Sequence, residues 1–137
     1  MRFLICVLIV IFSTVACGYS FENVQYVRNY DGDTITFNID NVHPLIGKEI
    51  RVRLNDIDTY EIVSKDPKAK KLALEAKVYV ETIMKRAKRI DLLNVKRGSF
   101  FRLIADVSVD GKDLVTMIKK KGFDEVKTKE TFDFDKD

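Results

Sequence analysis

Five side chains in three short segments have types that could act together on an anion. Asp33 and Asp58 would supply hard oxygen ligands to a cation, Arg53 and Arg102 would grip an anion, and Glu61 would be left to act on water. The first segment is Asp31-Gly32-Asp33-Thr34, the second runs over residues 53–61, and the third is Phe100-Phe101-Arg102. Singly, each has an ordinary reading: Asp-Gly is a turn signal, and a strand arginine commonly pairs with a carboxylate. The chemistry is coherent only if the three meet in space. Other chemistries lack their residues. His43 is the sole histidine, and Cys6 and Cys17 are the two cysteines, the former inside an apolar run, so a zinc site of three or four nitrogen and sulfur ligands cannot be assembled. A Ser/His/Asp or Cys/His nucleophile has no supporting constellation. Carboxylates point instead to Ca²⁺ or Mg²⁺, and His43 reads as a solvent-facing loop residue.

The elements that must position these groups follow from hydrophobic period. Val24 and Tyr26, then Ile35, Phe37 and Ile39, alternate with polar residues on either side of Asp31-Gly32, the pattern of two strands joined by a tight turn. A third strand is expected around Ile50, Val52 and Leu54. Asp66-Pro67 offers an N-cap and a first-turn proline, and Leu72, Ala76, Tyr79, Ile83 and Ala87 recur at helical spacing, which predicts a helix of about five turns. Residues 90–95 and 101–109 read as strands, the latter ending at Asp110-Gly111. Asp113 should cap a short helix that closes on Lys119, Lys120, Lys121 and Gly122. This order fits a small α+β protein, mainly β, or a five-stranded Greek-key barrel of the OB type.

The ends of the chain differ in character. Residues 3–12 form an unbroken apolar run behind Arg2, followed by small residues at Ser13, Ala16 and Gly18, which describes a signal peptide over residues 1–17. The run is shorter than the roughly 20 residues of a membrane span. Thr14-Val15-Ala16-Cys17 resembles a lipoprotein cleavage box with Thr14 in place of the usual leucine, so Cys17 is a candidate for lipidation, and plain cleavage is the alternative. Residues 18–137 are expected to form a single domain with a short acidic tail. The 137-residue chain carries 24 Lys and Arg against 21 Asp and Glu, a net charge of +3. That balance assigns no partner. Its distribution is uneven, with nine basic residues over 65–89 and six acidic ones over 124–137.

The order of the segments resembles the thermonuclease, or staphylococcal nuclease-like, family, whose pattern is Asp-Gly-Asp-Thr, then Arg-Leu, then Asp-Thr-Pro-Glu, then Tyr-Gly-Arg. The resemblance spans residues 24–123. It implies an OB-type barrel with one long and one or two short flanking helices. It implies calcium held by the side chains of Asp33 and Asp58 and the carbonyl of Thr59. Arg53 and Arg102 would bind phosphate, and Glu61 would be the general base or would position water. The chain departs from the pattern at Tyr60, where the family has proline, and at Phe100-Phe101 in place of Tyr-Gly, which keeps a ring for base stacking and loses a hydroxyl. The 40–49 connection is also long, and little chain follows Phe123.

The resemblance therefore implies an exported nuclease that hydrolyses phosphodiester bonds in DNA and RNA with Ca²⁺ and leaves 3′-phosphate ends. It would be a monomer, secreted, periplasmic or tethered at the cell surface through a lipid on Cys17. Phe100, Lys70 and Lys71 are candidate substrate contacts, though the lysines also fit a solvated helix face. The competing reading is a non-catalytic OB-type nucleic-acid-binding module. A structural or adhesive surface lipoprotein, resting on Cys17 alone, predicts no affinity for nucleic acid.

Overall fold

The computed structural model describes residues 18–125. The expected signal peptide over residues 1–17, with Cys17, and most of the acidic tail lie outside the described residues. The elements in chain order are β1 (Tyr19–Phe21), β2 (Gln25–Asn29), β3 (Thr34–Asn38), α1 (Pro44–Gly47), β4 (Ile50–Leu54), α2 (Pro67–Arg86), β5 (Ile90–Arg97), β6 (Leu103–Val109), β7 (Lys112–Asp113) and α3 (Leu114–Lys120). The protein is thus mixed α+β and mainly sheet.

The strands join in one sheet of order β1-β5-β6-β4-β3-β2, with β7 added to β6. All pairs are antiparallel except β4 with β6, which run parallel with Val52 opposite Leu103 and Leu54 opposite Ala105. Among the described residues the two outermost strands of this path, β1 and β2, are not paired with each other. They are nonetheless consecutive in the chain, and the Val24 N–H just before β2 donates to the Ile90 carbonyl at 2.9 Å.

The turn signals act as their chemistry requires. Asp31 Oδ1 accepts from the backbone N–H of Asp33 at 3.1 Å and of Thr34 at 2.8 Å, closing the β2–β3 turn. Asp66 caps α2 by accepting from Lys68 N at 3.0 Å, and Asp113 caps α3 by accepting from Thr116 N at 2.8 Å. Helix α2 is 20 residues long and buries Ala73, Ala76, Val80 and Met84. These recur at intervals of three and four, one stripe facing the sheet. The core joins Val80 and Met84 of that stripe to Ile35, Phe37, Val52, Leu92 and Val107 and to Leu114 and Ile118 of α3. Each large aliphatic or aromatic side chain fully buried there contributes about 1.5–3 kcal/mol.

Four features differ from the sequence reading. Strand β1 is additional, created by pairing with β5 (Tyr19 opposite Val95) rather than by any local period. The 39–49 connection contains the single turn α1, which His43 caps by accepting from Leu45 N on its Nδ1 at 3.2 Å. Strand β6 begins at Leu103, not at residue 101, because Phe100 and Phe101 both have positive φ, 55° and 56°, and occupy a turn. Seven strands rather than five are present among the described residues, since β1 and β7 were not expected.

Candidate active site

A cleft of about 680 Å³ opens on the β2–β3–β4 side of the sheet. Asp33, Arg53, Asp58, Thr59, Glu61 and Arg102 all line it, although they are spread over seventy residues of sequence. Phe100, Lys70 and Lys71 do not line it. Phe100 is exposed at a loop tip, and Lys71 faces Glu75 along α2 at 3.9 Å.

Asp33 is the hub. It leaves the β2–β3 turn pointing inward, and its residue is only 4% exposed. Its Oδ1 accepts from the Thr34 hydroxyl at 3.0 Å and from Arg53 Nη1 at 3.4 Å, and its Oδ2 accepts from the Thr59 backbone N–H at 3.0 Å. One carboxylate therefore ties a turn, a strand and a loop together. Arg53 lies on β4, and its Nη2 pairs with Asp58 Oδ1. The guanidinium thus bridges the two carboxylates expected to hold a cation. Two of its five N–H groups are used in this way, and the guanidinium, which lines the cleft, has further donors that could meet an anion.

Thr59 is held from both sides. An antiparallel bridge places it opposite Asp124, and the Glu125 N–H donates to the Asp58 carbonyl at 2.7 Å. Its own Oγ1 is buried and has no hydrogen-bond partner among the described residues. Gly32 makes this closeness possible. A Cβ there would stand 2.9 Å from Thr59 Cγ2 and 3.0 Å from Ala76 Cβ, so the second residue of the Asp31-Gly32-Asp33-Thr34 segment is glycine for space. Asn29 fixes the turn to α2 by donating from Nδ2 to the carbonyls of Asp31 and Lys77, both at 3.0 Å.

Asp31 carries the clearest electrostatic mark. Partial burial, followed by repulsion from Asp33, raises its pKa to about 6. Negative charge is crowded where the turn meets the cleft, and a bound cation would relieve it. The available donors are all oxygens: two carboxylates, a carbonyl and the unpaired Thr59 hydroxyl. Their type fits a hard cation. Among the described residues no three His, Cys, Asp or Glu side chains converge into a metal cluster, so water or ligand oxygens would have to complete the shell.

Several lining residues went unnoticed in the sequence. Arg51 shares the outer face of β4 with Arg53, and the two-residue strand period could have revealed it. Asp31 was read as turn chemistry alone. Tyr30 and Lys77 also line the cleft, the latter from α2. Glu125 arrives through the bridge to Thr59 and carries no local signal. Among the described residues Arg102 and Glu61 make no ion pair, whereas Arg53 makes two. No helix among the described residues is long and apolar enough to cross a membrane. Comparison of the chain with protein-family models and with curated proteins found no match.

Proposed function

We propose that the protein is a calcium-dependent nuclease that hydrolyses phosphodiester bonds in DNA and RNA and leaves 3′-phosphate ends. One observation carries this reading: two arginines, a glutamate and two aspartates from separate segments line a single cleft. The similarity of those segments to the thermonuclease pattern supplies the substrate, the bond cleaved and the choice of calcium. The OB-type barrel belongs to the same proposal. Its support is that β1 and β2, the two ends of the sheet path, are neighbouring parts of one chain, and that Val24 reaches Ile90 across the gap. Export through residues 1–17, with release or a lipid tether at Cys17, completes the reading.

In this mechanism Arg102 and the further N–H groups of Arg53 donate to the phosphate oxygens and hold the charge that builds at phosphorus. Glu61, exposed at the cleft wall, accepts the proton of the attacking water. Asp33, Asp58 and the Thr59 carbonyl would hold calcium. Bound there, the cation would polarise the phosphoryl group and favour hydroxide. Thr59 and the Asp31 turn keep Asp33 aimed into the cleft.

The experiment is hydrolysis of single-stranded DNA in calcium or in EDTA by the parent, Arg102→Ala and Glu61→Gln. Turnover by the parent in calcium alone is expected, with each substitution lowering the rate by about 10²–10³. Equal rates in every arm would sink the assignment. Salt-sensitive oligonucleotide binding without turnover would identify the non-catalytic binding module instead.

A further inference from the structure

We infer that the end of the sheet carrying Phe100 and Phe101 docks on an anionic lipid surface, an inference independent of the nuclease reading. Residues 98–102 turn β5 into β6. Arg102 N–H donates to the Ser99 carbonyl at 3.2 Å, and the two central positions, Phe100 and Phe101, both have positive φ. Glycine and asparagine take such a pair of conformations readily, whereas bulky residues are strained in it. The strain does not bury the rings. Phe100 is 89% exposed and Phe101 90%, so neither core packing nor backbone preference accounts for two phenylalanines here. Strained backbone tends to cluster at functional sites, which motivates asking what these exposed rings meet.

Other apolar residues gather at the same end. Val52 opposite Leu103 sets the turn beside the start of β4, and Phe37 opposite Ile50 sets the 39–49 connection there too. That connection exposes Leu45 and Ile46 on α1. Tyr19 opposite Val95 brings the exposed Tyr19 ring to this end as well. Half of the large hydrophobic residues exposed among the described residues, five of ten, are therefore collected on one edge of the fold.

The charge around them suits an anionic bilayer. Lys48, Lys96 and Arg97 are exposed at this end and form no ion pair among the described residues. The neighbouring carboxylates are engaged, Glu49 by Arg28 at 2.6 Å and Asp40 by Gln25 Nε2 at 3.0 Å. Protruding aromatic and aliphatic side chains flanked by exposed cations match the boundary between acyl chains and acidic headgroups. Nucleic acid fits less well, because Leu45 and Ile46 have no face on which bases stack and neither phenylalanine lines the cleft. Gly18 and Tyr19 enter the fold at this end, so in the tethered form of the proposed export a lipid on Cys17 would hold this same end against the membrane.

The sequence contains no tryptophan, so a single introduced indole reports its own position. The full chain carrying Phe100→Trp, Leu45→Trp or, as a reference on α2, Val78→Trp is mixed with phosphatidylcholine vesicles with or without phosphatidylglycerol. With the anionic vesicles, the first two should shift emission to shorter wavelength and be quenched by lipid brominated on its acyl chains, while Val78→Trp should do neither. Adding Lys96→Gln and Arg97→Gln should weaken the response. Because Leu45 lies outside the strained turn, its variant keeps the test valid if Phe100→Trp disturbs folding. Unchanged spectra, or an equal response at Val78, would overturn the inference. So would quenching by single-stranded oligonucleotide without lipid, or a lipid-independent shift that grows with protein concentration, which would assign the patch to nucleic acid or to a second copy of the chain.

Discussion

Replacing Arg53 with alanine tests both what holds the site together and what it does. The guanidinium touches Asp33 at 3.4 Å and also pairs with Asp58. Its own side chain is 32% exposed and that of Asp33 is 6% exposed. Breaking a fully buried pair costs about 3–5 kcal/mol because a charge is stranded, while exposed pairs contribute about 0.2–1 kcal/mol. The long contact and the half-open arginine place this pair between the two, at about 2 kcal/mol in EDTA. For a domain of this size that is a fall in Tm of roughly 10 °C. Calcium bound to these carboxylates should stabilise parent and variant alike, by about 2.7 kcal/mol at a hundredfold excess over its Kd, so the variant should melt higher in calcium than in EDTA. Turnover should stay about 10²–10³ lower even then, because a donor to the charged phosphate has gone. The assay is thermal unfolding by circular dichroism alongside DNA hydrolysis, each in calcium and in EDTA. A variant that melts with the parent in EDTA would refute the hub role of Asp33. One that regains full turnover in calcium would refute the phosphate role of Arg53.

Two further outcomes follow from the same geometry. Gly32→Ala should destabilise the protein by about 1–3 kcal/mol in urea unfolding, because the new methyl meets Thr59 Cγ2 at 2.9 Å and Ala76 Cβ at 3.0 Å; an unchanged midpoint would show that the turn yields without cost. Asp31 is raised from 3.8 to about 6 in the folded protein, so the folded state binds more protons than the unfolded one between those values. In EDTA the contribution of Asp31 to stability should therefore fall as pH rises from about 4 to about 6 and then level off, so the difference in melting between the parent and Asp31→Asn, which can still accept the turn's N–H bonds, should change across that range and be constant above it.

How much could be read in advance depended on where each element gets its stability. Helix α2 was legible because Asp66, Pro67 and the helical spacing of Leu72, Ala76, Tyr79, Ile83 and Ala87 lie within one stretch of chain, although of these only Ala76 is fully buried and the buried stripe is Ala73, Ala76, Val80 and Met84. The β2–β3 hairpin was legible for the same reason, through Asp31-Gly32. Strand β1 was not, because three residues of mixed exposure become a strand only by lying on β5. The start of β6 was misplaced because nothing in Phe100-Phe101 announces two positive φ angles. In the site, the charged side chains could be named one by one, but the bond from Thr59 N–H to Asp33 could not, since its donor is a backbone group 26 residues away. Glu125 was hidden likewise behind a backbone bridge.

That dependence on distant backbone has a consequence for how the site forms. Asp33 is buried before any ligand arrives, and a buried carboxylate is costly unless its oxygens are satisfied. Its partners come from residues 34, 53 and 59. Only the first is local. The second requires β3 to pair with β4 in the register that sets Thr34 opposite Arg53, and the third requires the loop after β4 to fold back over Gly32. That loop is in turn held by residues 124 and 125, beyond α3. A partly folded chain therefore has neither an aimed Asp33 nor a bridged Arg53. The cleft thus depends on the same pairings as the sheet, and fragments that stop short of Glu125 lack the strap that closes it.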